Sequence, residues 1–278
     1  MFSGRTCLKL SCLCESNEKI ITFENVTKVY DGKYVIDNVS HEFAKGESIA
    51  FWGHNGCGKS TMLKLLAGIV SISGGQIVYQ KKLKFSYVPE KFPGMEISLM
   101  DYLQGIARME NVDFSVVKEL IRDFYLDTMI KTRLDKLSKG SLQKVGVIQA
   151  ILAPQDVILL DEPLSGQDAD SQKIFISKMN ELREKGVSIF MACHEKTLID
   201  KLSDKVYTID NGKLVEIESL VKDDYSVYIR KNHELAAWSD MKSNGNRYEI
   251  TVKEELLKET VLKLYDEGWE IVGIEKLD

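Results

Sequence analysis

No apolar run in the chain is long enough to cross a bilayer, which takes roughly 18 residues or more; the longest are short, such as Val157-Ile158-Leu159-Leu160. A role at a membrane therefore calls for a separate membrane-spanning partner. No secretory leader is legible, because Cys, Ser and Glu break the apolar character soon after Arg5 and Lys9. Basic charge is not in excess. The 37 Lys and Arg stand against 42 Asp and Glu, a net charge of −5 that gives no support to nucleic-acid binding. Cysteine is sparse and odd in number, at five, which argues against a disulfide framework. Cys7, Cys12 and Cys14 crowd the first residues, but no histidine lies near and no fourth cysteine completes a metal site. Residues 1–18 read as a disordered leader, with a metal site, lipidation or membrane contact as lesser alternatives. Internal repeats and low-complexity segments are absent.

What is present suits a globular domain: 44% hydrophobic and 28% charged residues can bury a core without staples. The 278 residues fit one large domain over 19–219 and a small appendage over 220–278. The opening reads as antiparallel β-structure, with strands over 20–26, 35–43 and 48–52 and a tight turn at Asp31-Gly32. Helices are then predicted over 60–68, 142–152, 171–185 and 196–202, and 101–126 reads as mainly helical with turn signals near Asn111-Val112-Asp113. Strands alternate with them at 76–79, 85–88, 157–160 and 187–192, and a hairpin turns over Asp210-Asn211-Gly212. Continuous apolar strands such as 157–160 belong inside a parallel sheet. The appendage reads as β-β-α-β, and its amphipathic helix over 253–266 carries Leu256, Leu257, Val261, Leu262 and Tyr265 at helical spacing.

Gly53-His54-Asn55-Gly56-Cys57-Gly58-Lys59-Ser60 matches the G-x-x-x-x-G-K-[ST] phosphate cradle, between a predicted strand and a predicted helix. The glycines let backbone N–H groups turn inward, and the helix N-terminus adds its own donors. Lys59 should reach the β- and γ-phosphates of ATP, and the Ser60 hydroxyl should ligate Mg²⁺. A chance glycine-rich turn would not explain the flanking elements. The strand at 157–160 delivers Asp161 and Glu162 at its carboxyl end, where open α/β sheets bind ligands. Asp161 suits holding Mg²⁺ through water, and Glu162 suits orienting and deprotonating an attacking water. Alone, the two acids could equally end a surface strand. His194, just past the strand at 187–192, is placed for a catalytic or sensing role.

Leu137-Ser138-Lys139-Gly140-Ser141 opens a helix about twenty residues before the acids and resembles the Leu-Ser-Gly-Gly-Gln signature of the ABC family. Lys139 and Ser141 depart from that form, while Ser138 and Gly140, the residues that would touch phosphate, are kept. Without its neighbours the segment would read as a helix cap. The resemblance covers roughly residues 19–218 and implies a P-loop ATPase of ABC type: an antiparallel β subdomain, a mostly parallel core sheet and a helical subdomain. It implies that Tyr30 stacks on adenine, with a core tyrosine as the alternative. It places the cradle at Gly53–Thr61, a loop acid at Asp168 after Ser165-Gly166-Gln167, and the switch histidine at His194. Glu90 stands where the family usually has a metal-contacting Gln, and its charge weakens the case for direct contact.

The function implied is a nucleotide-binding subunit that dimerises head to tail, as a homodimer or with a second ATPase. It would sandwich ATP between Gly53–Thr61 of one copy and Ser138–Gly140 of the other. It would energise a permease on a separate chain at the cytoplasmic face of the membrane. Glu90, Lys139 and the short helical insert lean towards an exporter-like type. A non-transport ABC ATPase, such as a cluster-assembly factor, is the alternative. The loop Pro89–Met95 is the expected docking surface, with Phe92 and Met95 either as apolar anchors or packed into the helical subdomain.

Overall fold

The computed structural model describes residues 18–164, 167–217, 224–230, 238, 241–244 and 247–276. The cysteine cluster near the start, Ser165, Gly166 and the expected boundary at 219/220 lie outside the described residues. The chain divides into two compact units, meeting between Ile217 and Glu218.

The first unit opens with β1 (Lys19–Tyr30) and β2 (Lys33–Ala44), an antiparallel pair. Asp31 and Gly32 turn between them at φ 49° and 78°, the left-handed geometry that matches strand twist in a two-residue hairpin. β3 (Ser48–Trp52) leads to α1 (Lys59–Leu66) and β4 (Gly74–Tyr79). β4 returns to pair with β1, completing a three-stranded antiparallel sheet. Next come β5 (Phe85–Val88), α2 (Leu99–Met109), α3 (Phe114–Asp123) and α4 (Lys139–Leu152). The stretch expected to be mainly helical over 101–126 is two helices. Asn111 takes φ 54°, and Asp113 caps α3 by accepting from the Ser115 N–H at 2.7 Å.

β6 (Val157–Asp161), α5 (Ala169–Glu184), β7 (Ser188–Ala192), α6 (Lys196–Leu202), β8 (Lys205–Asp210) and β9 (Lys213–Glu216) complete the unit. The central sheet runs β5-β6-β7-β3-β8-β9, parallel except for β9. β6 and β7 are buried at every position, which is why their sequences are unbroken apolar runs. One core joins both sheets to α1, through Phe23, Phe43, Phe51, Leu63, Leu66, Leu159 and Phe190.

Phe92 is half-buried and packs inward. Its ring stands edge-on to Tyr102, with centroids 6.1 Å apart, and a Cβ on Gly146 of α4 would fall 2.5 Å from it. Of the two roles expected for Phe92, the geometry matches packing within the helical subdomain.

The second unit has β10 (Asp224–Arg230), β11 (Lys242–Asn244), β12 (Arg247–Lys253), α7 (Glu254–Asp266) and β13 (Glu270–Lys276). The sheet is antiparallel in the order β11-β12-β10-β13. The three-residue β11 was not expected, being too short to show any alternation. Val227, Ile229, Ile250, Val252, Leu264 and Trp269 form a core of this unit's own.

Among the described glycines, Gly75 in β4 is the tightest. It sits at φ 82°, and a Cβ there would lie 2.2 Å from the Asn25 carbonyl oxygen. Gly75→Ala is therefore expected to lower unfolding free energy by at least ~1–2 kcal/mol, the left-handed penalty alone. Denaturant unfolding with an unchanged midpoint would contradict this.

Candidate active site

A loop between β3 and α1 carries the phosphate-cradle sequence. Gly53, Gly56 and Gly58 have φ of 146°, 84° and 118°, conformations that L side chains rarely adopt. A Cβ on Gly58 would also press Val35 at 3.1 Å. Gly58 is the N-cap of α1, so the first N–H groups of Lys59, Ser60 and Thr61 have no intrahelical partner. Those free donors and the helix dipole make the loop an anion seat. The Lys59 ammonium is buried and bridges the loop, donating to the Gly53 carbonyl at 2.6 Å and the His54 carbonyl at 3.1 Å. His54 turns its own ring to the Asn55 carbonyl at 3.0 Å.

The acids arrive from β6. Asp161 is 3% exposed, and its Oδ1 accepts the Ser60 hydroxyl at 2.8 Å. Glu162 turns sharply, at φ 49°, and its N–H donates to the Ala192 carbonyl at 2.9 Å. Its Oε2 accepts from His194 Nδ1 at 2.9 Å, while Oε1 is buried without a hydrogen-bond partner among the described residues. That free acceptor is suited to a water or hydroxyl donor in the cleft. Cys193, between Ala192 and His194, is buried, and its thiol is pushed up to about 12, first by burial and then by the Glu162 and Glu195 charges.

These groups line one cleft of about 530 Å³: Val35, Asn55, Gly56, Gly58, Lys59, Ser60, Thr61, Glu90, Glu162 and His194. Ser60 and Asp161 present neighbouring hard oxygens, the donor type Mg²⁺ takes. Glu90 faces the cleft, yet no group of three or more His, Cys, Asp or Glu is gathered for a metal among the described residues.

Tyr30, Ser138, Gly140 and Asp168 lie apart from the cleft lining. Tyr30 is 43% exposed at the end of β1, with the Lys28 ammonium 4.7 Å from its ring centre. Ser138 caps α4, accepting the Ser141 N–H at 3.2 Å, with Gly140 in the same first turn. Asp168 caps α5 through Ser171 at 2.9 Å and pairs with the buried Lys144 at 3.5 Å. The Ser171 donors, with help from Lys144, hold the Asp168 carboxyl down at about 2.

Sequence reasoning missed Val35, Tyr87 and Lys144. Tyr87 donates to Asp161 Oδ2 at 3.0 Å, and no motif announces it. Val35 could have been found only from its strand's return beside the cradle.

A phosphate cradle with a hydrogen-bonded Ser–Asp pair and a Glu–His pair at the ends of parallel strands defines a P-loop ATPase. The family model described as ABC transporter matches residues 36–165. The zinc import ATP-binding protein ZnuC of Rickettsia conorii is 35% identical over 199 residues, covering 70% of this chain and 84% of that one. An uncharacterized ABC transporter ATP-binding protein, MJ1023 of Methanocaldococcus jannaschii, is 32% identical over 202 residues, covering 70% and 76%. Among solved structures, an ATP-binding cassette bound to ADP and Pi superposes with a TM-score of 0.65 at 18% identity, covering 71% of this chain and 98% of that one. The chain belongs to the ABC transporter ATP-binding family and is an ATPase. The ZnuC name carries import, so the exporter-like type expected from Glu90 and Lys139 gains no support.

The half-exposed Cys57 and the buried Cys193 should separate under a thiol alkylating reagent at pH 8. Cys57 is expected to react first, to be protected by saturating Mg-ATP, and to inactivate the enzyme. Cys193, held neutral and covered, is expected to stay unmodified while the fold is intact. Peptide mapping that finds Cys193 labelled before Cys57 would contradict the geometry.

Proposed function

We propose that this chain is the ATP-hydrolysing subunit that powers a membrane transporter through a permease on a separate chain. It acts as a head-to-tail dimer at the cytoplasmic face. The observation that carries the reading is the placement of Glu162, its Oε2 fixed by His194 and its Oε1 free, beside the phosphate cradle.

In this reading Gly53, His54, Asn55, Gly56, Cys57, Gly58, Lys59, Ser60 and Thr61 hold the triphosphate, and Lys59 exchanges the loop carbonyls for phosphate oxygens. Tyr30 offers its open face to adenine. Glu162 takes the proton of the attacking water, and His194 keeps that carboxylate turned towards the γ-phosphate. Ser60 and Asp161 hold Mg²⁺, with Glu90 at the rim of the same cleft. Mg²⁺ held there would supply positive charge to offset the negative charge that develops on the phosphate oxygens. Ser138 and Gly140, at the N-terminus of α4, sit away from their own chain's cleft and serve a partner's γ-phosphate, with Asp168 alongside.

No helix among the described residues is long and apolar enough to cross a membrane, which leaves translocation to the permease. Relatives whose names state a direction, ZnuC and the spermidine/putrescine protein PotA of Desulfitobacterium hafniense, are import proteins. They favour import over the export suggested by Glu90 and Lys139. In inverted vesicles, ATP-driven loss of preloaded substrate would mean import, and uptake would mean export.

Glu162→Gln is expected to bind ATP, to elute as a dimer when ATP is present, and to hydrolyse it roughly 100-fold or more slowly. Wild-type turnover in this variant would remove Glu162 as the base.

A further inference from the structure

Both oxygens of the Asp161 carboxylate accept hydroxyl hydrogen bonds. Ser60 donates to Oδ1 at 2.8 Å, and Tyr87 donates to Oδ2 at 3.0 Å. Ser60 belongs to the cradle. Tyr87 does not: it stands on β5, the parallel neighbour of β6, in register with Leu159. Its phenol therefore reaches across the strand gap to an acid two residues beyond its own pairing partner. Asp161 is almost fully buried, so water does not compete freely for Oδ2.

Burial pushes the Tyr87 phenol well above its ordinary value, and the Asp161 and Glu90 charges add to that. Tyr87 also lies three residues before Glu90 on one continuous segment, and Gln143 of α4 pins that segment by donating to the Pro89 carbonyl at 2.8 Å.

We propose that Tyr87 is a positioning residue for the metal-holding acid: its hydroxyl fixes Oδ2 of Asp161, so that Oδ1 stays turned towards Ser60. Losing the hydroxyl leaves the carboxylate free to rotate about its side-chain bond and leaves Oδ2 unpaired in a buried site. The segment that carries Glu90, which lines the same cleft, then reaches the metal-holding acid through Tyr87. The inference rests on the reading of Asp161 as the acid that holds Mg²⁺.

The test is a Mn²⁺ titration of the full chain in complex with ADP, read by electron paramagnetic resonance of free Mn²⁺. Tyr87→Phe is expected to weaken Mn²⁺ binding by about 10- to 100-fold, the range for partners that orient a metal ligand. ADP binding without metal should be unchanged. Asp161→Asn supplies the reference, and adding Tyr87→Phe to it should cause no further loss. Wild-type Mn²⁺ affinity in Tyr87→Phe, beside a weakened Asp161→Asn, would overturn the proposal, as would fully additive losses. Unchanged Mn²⁺ affinity in Asp161→Asn would instead remove the metal reading on which it rests. Should Tyr87→Phe fold poorly, the wild-type protein gives the answer through the Tyr87 ring-carbon resonance next to the hydroxyl. That resonance is expected to shift when Mg²⁺ is added to the ADP complex, and an unmoved resonance would overturn the proposal.

Discussion

The site depends on three parallel strands ending level. Ala192 of β7 is paired with Phe51 of β3 on one side and with Asp161 of β6 on the other. Gly53 therefore begins the cradle, Glu162 begins its turn and His194 leaves the sheet within a residue or two of a common line. A slip of one residue in either pairing would shift a strand by about 3.3 Å and flip every side chain to the opposite face. Ser60 would then lose Asp161, and His194 would lose Glu162. What prevents the slip is burial on both faces of β6 and β7, because any register other than this one leaves apolar side chains poorly packed. The apolar runs set the precision of the chemistry although none of their side chains takes part in it.

This also explains what was legible beforehand. The cradle, the acids and the histidine are local: each is a few residues beside a strand, and the sequence spells both strand and residues. The fold class followed, since unbroken apolar runs alternating with helices specify a parallel sheet. Tyr87 was not legible, because its contact with Asp161 crosses strands 74 positions apart in sequence. Lys144 was hidden similarly: a lysine amid the residues of a helix reads as surface, yet this one is buried against Asp168. β11 was too short to have a period, and the break at Asn111–Asp113 showed as turn signals within a mainly helical stretch. The lean towards export rested on Glu90, Lys139 and the short helical insert between Glu90 and Leu137, and none of these defines a direction of transport.

The residues away from the cleft are organised among themselves. Ser138 begins α4, and Lys144 on the same helix reaches Asp168 at the start of α5. Lys144 also lies 6.0 Å from the centre of the Tyr125 ring. The segments proposed to face a partner's nucleotide are thus tied by a buried ammonium within one chain. A helix-cap reading of Ser138 and a phosphate-contact reading are compatible, since the hydroxyl that caps α4 marks the end from which the dipole points outward. The local geometry that stabilises the helix is the same geometry that would present its donors.

Glu162 shows where stability and chemistry are set against each other. A non-glycine residue at φ 49° costs about 1–2 kcal/mol, and a glycine there would relieve it. Glycine would also remove the carboxylate. Two hydrogen bonds hold the strained turn: the N–H to the Ala192 carbonyl and Oε2 to His194. Cys193 next to it stays neutral and adds no negative charge of its own. The strain directs the carboxylate back over the strand ends, with one oxygen fixed and the other left over. An acid continuing along β6 in extended geometry would leave the sheet on the far side of Asp161 and face neither Lys59 nor His194. The left-handed turn is therefore the step that converts a strand-end acid into a group aimed at the cradle, and the level register of β6 and β7 is what makes its backbone hydrogen bond available.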